Sequence, residues 1–145
     1  MSSDAAAAAW SPAVVIAVLT YRRPRDIAAV LPMLVDQAAS VGGTARVRIL
    51  VVDNDPEAGA RAAVAAAAEG AAVPVAAVRI SYVHEPEPGI SAARNRALDE
   101  SRADDLLVFI DDDERPTDGW LAALLGLQLS TGCAAVAGPV ESRFE

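Results

Sequence analysis

Along the chain, short runs of consecutive apolar and largely β-branched residues alternate with longer stretches in which apolar positions recur every three or four residues. The first pattern suits strands buried on both faces of a sheet, and the second suits helices with one apolar face. Val14-Val15-Ile16-Ala17-Val18-Leu19 predicts a first strand that runs into Thr20-Tyr21-Arg22-Arg23. Pro24 then fits a first helical position and Asp26 a first turn, while Ile27, Val30, Leu31, Leu34, Val35 and Ala38 share one helix face until Gly42-Gly43. Val47 to Val52 predicts a second strand, followed by Asp53-Asn54-Asp55-Pro56 and an alanine-rich helix from about Glu57 to Glu69, with Gly70 near its end. Beyond Pro74 comes a weaker apolar stretch, Val75 to Val78, and then a short third strand, Ile80 to His84. The breaker-rich loop Glu85-Pro86-Glu87-Pro88-Gly89 opens into a helix from about Ser91 to Arg102. Leu106 to Ile110 reads as a fourth strand buried on both faces. Thr117 is expected to cap a last helix carrying Trp120, Leu121, Leu124 and Leu125, and Ala134 to Val140 reads as a fifth strand.

Strands and helices alternating at this spacing predict an α/β fold, a mostly parallel sheet with helices on both faces. Ligands of such sheets sit beyond the carboxyl ends of the strands, near the topological switch point. Four polar clusters fall there: Thr20 to Arg23, Asp53 to Asp55, the Glu85 to Gly89 loop, and Asp111-Asp112-Asp113-Glu114. Carboxylates as crowded as the last group repel one another, so they are either a solvated loop or a site compensated by positive charge. A divalent cation is the simplest source of that charge.

Composition narrows the chemistry. The chain's 145 residues suffice for one domain with a sizeable core, and 53% hydrophobic against 22% charged residues excludes a largely disordered chain. Twenty acids against 12 bases give a net charge of -8, which argues against nucleic acid as the main partner. All the bases are arginine, so chemistries that need a P-loop lysine, a Schiff base or a lysine beside a phospho-aspartate are excluded. The single cysteine, Cys133, reads as a buried filler in a reducing, cytoplasmic protein, a location compatible with peripheral attachment to a membrane. Residues 1–12 read as a frayed tail, and the apolar residues before Leu19 are too few to span a bilayer.

Val15-Ile16-Ala17-Val18-Leu19-Thr20-Tyr21-Arg22-Arg23, Leu50-Val51-Val52-Asp53-Asn54, Pro88-Gly89-Ile90-Ser91-Ala92-Ala93-Arg94-Asn95 and Phe109-Ile110-Asp111-Asp112-Asp113 together resemble the amino-terminal half of family 2 glycosyltransferases with the GT-A fold. The resemblance implies a Rossmann-like nucleotide-sugar site. Thr20 and Tyr21 would line the base pocket with Arg23 nearby, Asp53 would bind the base or ribose, and Arg94 would face the phosphates. Asp111 and Asp113 match the DxD motif. Asp113 is expected as the direct ligand of Mg²⁺ or Mn²⁺ and Asp111 as a second ligand shared with the sugar or ribose. Asp112 is also assigned to the donor site, although in extended backbone it points the other way and meets solvent. The implied partners are a UDP- or GDP-sugar and an unidentified acceptor. The catalytic base is expected beyond Glu145, because residues 13–145 read as the donor-binding part of a fold cut before its acceptor half. Such a part would be inactive alone and prone to self-association through uncovered apolar surface.

Other readings stay open. Arg94 could pair with Asp99 or Glu100, Asp53 could be a turn-former, Tyr21 could be packing, and one of Arg22 and Arg23 could be structural. His84 reads as a satisfied structural histidine and Trp120 as a core anchor. Among enzymes the alternative is a sugar nucleotidyltransferase, although its glycine-rich loop is absent after Leu19. Haloacid-dehalogenase-type phosphatases and receiver domains both need the lysine this chain lacks. A non-catalytic nucleotide-binding or interaction module is the reading outside enzymes.

Overall fold

A computed structural model describes residues 10–71 and 78–143. Its elements are β1 (Ala13–Thr20), α1 (Pro24–Ser40), β2 (Arg46–Asp53), α2 (Arg61–Ala71), β3 (Arg79–His84), α3 (Ile90–Glu100), β4 (Leu106–Asp111) and α4 (Trp120–Thr131). The four strands form one sheet in the order β3-β2-β1-β4, and every pairing is parallel. From β1 the chain steps outward through β2 to β3, then crosses to the opposite side of β1 to place β4. The topological switch point therefore lies between β1 and β4, the place where a doubly wound sheet opens a crevice.

The reversal also sorts the helices. Connections of one handedness must cross opposite faces when they travel in opposite directions along a sheet. α1 and α2, which lead outward, pack on one face over Val14, Ile16, Val18, Ile49 and Val51, joined there by Leu121 and Leu125 of α4. α3 leads back and covers the other face, where Ala93 and Ala97 meet Val15, Ala17, Leu19, Leu50 and Val52. Small residues on α3 let it lie close to the sheet. Arg48 of β2 holds its far end by donating to the Glu100 carbonyl at 2.9 Å and pairing with Asp104 at 2.6 Å, a cation at a helix carboxyl end.

Pro24 starts α1 where the sequence places it, and the helix runs unbroken through Pro32. Pro32 and Ala28, whose carbonyl loses its helical partner, are both exposed, so that carbonyl can turn to water. Gln37, buried on the same helix, donates to the Thr117 carbonyl at 3.0 Å and accepts from the Leu121 amide at 3.1 Å. The start of α4 is thus satisfied from α1 by Gln37. The expected Thr117 cap does not form: the residue at the cap position is Gly119, at φ 76°, with no side-chain capping bond. The second helix begins four residues later than expected, at Arg61, because Asp53 to Gly59 is spent on a turn.

Three expectations need correction. Leu106 to Ile110 is an edge strand, not one buried on both faces, and Phe109 is 42% exposed. Its α3-side face extends past that helix. Ala134 to Val140 forms no strand; alanine has low strand propensity, Pro139 lacks a donor, and Val140 stands 72% exposed. Cys133, expected as a buried filler, is exposed beside this irregular segment. The expected stretch Val75 to Val78 and the terminal tail lie mostly outside the described residues. No helix among the described residues is long and apolar enough to cross a membrane.

α4 is apolar nearly all round, yet only part of it packs. Leu121→Ala should lower stability by about 2–5 kcal/mol, as for other emptied core leucines, whereas Leu129→Ala on the exposed face should cost less than about 0.5 kcal/mol. Denaturant unfolding of the two variants checks this.

Candidate functional site

Parallel registration brings the strand ends level. Thr20 stands opposite Asp53, Leu19 opposite Asp111, and Asp53 opposite His84. The ladder continues into the loops, where the Asn54 amide donates to the Thr20 carbonyl and the Glu85 amide to the Asp53 carbonyl, both at 2.9 Å. The loops leave the sheet side by side and enclose a cleft of about 680 Å³ lined by Leu19, Thr20, Tyr21, Arg23, Asn54, Pro88, Gly89, Ile90, Ala93 and Asp111 to Asp113.

One wall is the Glu85 to Gly89 loop, and Asn54 holds it. Its side-chain amide donates to the carbonyls of Glu85 at 2.9 Å and Glu87 at 2.6 Å, and its oxygen accepts from the Gly89 amide at 2.9 Å. A residue that bonds three points of a proline-stiffened loop fixes its path. Gly89 enters α3 at φ 125°, a conformation that residues with a Cβ rarely adopt.

The opposite wall is the acidic turn. Asp112, expected to meet solvent, is only 5% exposed. It accepts from Thr20 Oγ1 at 2.7 Å and from Arg23 Nη1 at 3.2 Å. Burial pushes its carboxyl above the usual range, while the Thr20 hydroxyl and the Arg23 charge oppose that rise. Asp113 is exposed and bonds Arg23 Nη1 at 2.6 Å, so one guanidinium nitrogen bridges both carboxylates and Arg23 is held still more firmly protonated. Arg115 braces the turn by donating to the carbonyls of Asp112 and Glu114, and it pairs with Asp26 of α1 at 3.1 Å. Asp111 is exposed at the cleft. Arg23 thus supplies positive charge to two carboxylates of the acidic run, while Arg115 holds the backbone of the turn.

Tyr21 is 50% exposed at the cleft mouth, with the Arg22 guanidinium 5.2 Å from its ring centre. Arg22 takes a left-handed conformation, φ 56°, and reaches Asp55 at 3.4 Å. That conformation costs about 1–2 kcal/mol in a residue with a Cβ, and the contacts on both sides of Arg22 offset it.

Two expected site residues are placed elsewhere. Asp53 is fully buried and does not line the cleft; its oxygens accept from the amides of Asp55 and Ala60 and from the Tyr82 hydroxyl, at 3.0, 2.9 and 2.9 Å. It is the turn-former, locking the approach to α2. Arg94 is exposed on α3 outside the cleft lining, and Asp99 and Glu100 pair with Arg102 and Arg96 instead. His84 Nε2 donates to the Asp55 carbonyl at 2.8 Å, a structural bond, and Trp120 packs partly buried against the core. Asn54 and Arg115 contribute to the site although the sequence alone assigns neither a role there. Asn54 stood in a recognised polar cluster, whereas nothing local marked Arg115.

Among the described residues no group of three or more Asp, Glu, His or Cys side chains is gathered to hold a metal by itself. Two exposed carboxylates at the cleft, Asp111 and Asp113, are a hard oxygen set that fits a cation sharing its remaining positions with ligand oxygens and water.

The sequence profile described as glycosyl transferase family 2 matches residues 15–145. The succinoglycan biosynthesis protein ExoM of Rhizobium meliloti (strain 1021) is 46% identical over 129 residues, which cover 89% of this chain and 39% of that protein. The chain therefore spans well under half the length of this relative. No solved structure matches significantly.

The phenol of Tyr82 gives the site's scaffold a pH signature. Burial and the bond to Asp53 push its pKa up to about 12. A raised folded-state pKa means the contribution is complete below the unfolded value near 10 and is lost as pH rises towards 12. Tyr82→Phe should cost about 1–3 kcal/mol at neutral pH, and the gap from the parent chain should close above pH 10. Stability measured across that range tests the sign.

Proposed function

The chain belongs to glycosyl transferase family 2, and from that membership we propose that it carries the donor site of a metal-dependent, inverting transfer of sugar from a nucleotide diphosphate to an acceptor hydroxyl. The observation that carries this reading is the meeting of Thr20, Tyr21 and Arg23 with Asp111, Asp112 and Asp113 around one cleft at the β1/β4 switch point.

Each group has work suited to its position. Tyr21 offers an exposed aromatic face on which a base can stack. Arg23 offers a permanent positive charge to a diphosphate. Asp111 and Asp113 are the proposed ligands of Mg²⁺ or Mn²⁺, which when bound neutralises the charge that develops on the departing diphosphate. Asp112, largely buried in the cleft wall, is a positioning residue: it fixes Thr20 and Arg23. Uridine or guanosine diphosphate sugars are the proposed donors, and the acceptor is a hydroxyl compound of unstated kind.

Transfer with inversion also needs a base on the acceptor side of the sugar. The carboxylates lining the cleft are Asp111, Asp112 and Asp113, all grouped on the diphosphate side, and Asp112 is already bonded. Binding without efficient turnover by this chain alone is part of the proposal. The non-catalytic reading predicts the same lack of turnover, so binding is what separates a donor site from a purely structural module.

Calorimetry with UDP and GDP, with and without Mn²⁺, should show nucleotide binding that depends on the metal and is lost in Asp113→Ala. Absence of binding to either nucleotide would remove the donor site. Incubation with UDP- and GDP-sugars should give no nucleotide release beyond the uncatalysed rate, and clear turnover would overturn the claim that the base lies outside these residues.

A further inference from the structure

We infer that Arg23 is a resident counter-cation that couples binding of the divalent metal to binding of the diphosphate: it bonds Asp113 and gives that carboxylate up when a phosphate offers it another acceptor. This deepens the donor-site reading and rests on it for the diphosphate half.

Nη1 of Arg23 bonds Asp113 at 2.6 Å and Asp112 at 3.2 Å, so the proposed metal ligand is already neutralised by a positive charge from the chain itself. The two carboxylates differ in what they can release. Asp112 is buried, keeps the Thr20 hydroxyl at 2.7 Å, and remains a fixed anchor. Asp113 is 55% exposed at its side chain and has no other hydrogen-bond partner among the described residues, so it is the half of the bridge that can open. Nε and Nη2 of Arg23 make no bond among the described residues, and the residue lines the cleft. A guanidinium with N–H groups to spare can take a phosphate oxygen while still held by Asp112.

A cation arriving alone must compete with Arg23 for Asp113, and a diphosphate arriving alone meets an arginine whose charge is partly spent on carboxylates. When both arrive, Arg23 turns to the phosphate and Asp113 is freed. Each ligand therefore strengthens the other, and linkage makes the two gains equal.

The test is titration of Mn²⁺, followed by its magnetic resonance signal and by calorimetry, into the chain, Arg23→Gln and Arg102→Gln. The last removes an equal charge outside the cleft lining, where Arg102 pairs with Asp99 at the end of α3. Mn²⁺ alone should bind Arg23→Gln about tenfold more tightly than the parent chain, with Arg102→Gln changed far less. Saturating nucleoside diphosphate should tighten Mn²⁺ binding to the parent about tenfold, and that gain should shrink towards none in Arg23→Gln. Equal or weaker Mn²⁺ binding by Arg23→Gln, or an equal change in Arg102→Gln, overturns the inference. If circular dichroism shows Arg23→Gln to be unfolded, the parent chain decides alone: Mn²⁺ affinity that nucleotide leaves unchanged overturns it. Failure of the parent to bind any nucleotide would sink the donor-site reading instead, and the Mn²⁺-only comparison would still decide the Arg23–metal competition.

Discussion

The constraint on which this molecule depends is a buried carboxylate shared by the ends of two strands. Asp112 lies just past β4 and Thr20 closes β1, and the 2.7 Å bond between them joins positions 92 residues apart. A buried carboxylate without partners is costly, so the fold is committed to keeping Thr20 and Arg23 beside it. That commitment sets the height at which the acidic turn leaves the sheet. It also holds the beginning of α1, since Arg23 immediately precedes Pro24. The switch point opens the crevice, and this one side chain determines what stands in it.

The other side of the cleft obeys the same logic with neutral groups. Asn54 spends its whole amide on the Glu85 to Gly89 loop, and Asp53 spends its carboxylate on the approach to α2. Adjacent residues thus build in different directions, one towards the cleft and one into the core. The site consists of exposed groups, Tyr21, Asp111 and Asp113, mounted on buried polar groups that are fully occupied. Preorganisation of this kind places charge accurately without enclosing it.

What could be read from the residues follows from the range of the interaction responsible. Strands β1 and β2 were legible because a strand inside a parallel sheet is a continuous apolar run, and α1 was legible because its buried face repeats at the helical period. The convergence of Thr20 with the acidic turn was legible from topology, since parallel strand ends must share an edge. Contacts between polar groups distant in sequence were not. Nothing local distinguishes a solvated Asp112 from one beneath Thr20, or a surface Gln37 from one that satisfies the start of α4 84 residues away. Asp53 was ambiguous for another reason: a turn-forming aspartate and a ligand-binding one look alike in sequence, and the structure gives it the turn. Ala134 to Val140 misled because a run of small apolar residues becomes a strand only where a partner edge accepts it.

The uneven covering of the sheet bears on how such a cleft must work. Among the described residues α3 alone covers its face, and Phe109 and Asp111 emerge from β4 beyond its reach, so the cleft is open on the side where Ile90 also stands exposed. A site this open cannot hold a charged ligand by burying it. Desolvation there is incomplete, and ion pairs that stay in contact with water are individually weak. Useful affinity has to come from several weak contacts made together, with the geometry settled before the ligand arrives. Arg23 anchored on Asp112, Tyr21 backed by Arg22, and the loop pinned by Asn54 each remove freedom that binding would otherwise have to take away. The many long-range polar bonds around an exposed cleft are therefore what its openness requires.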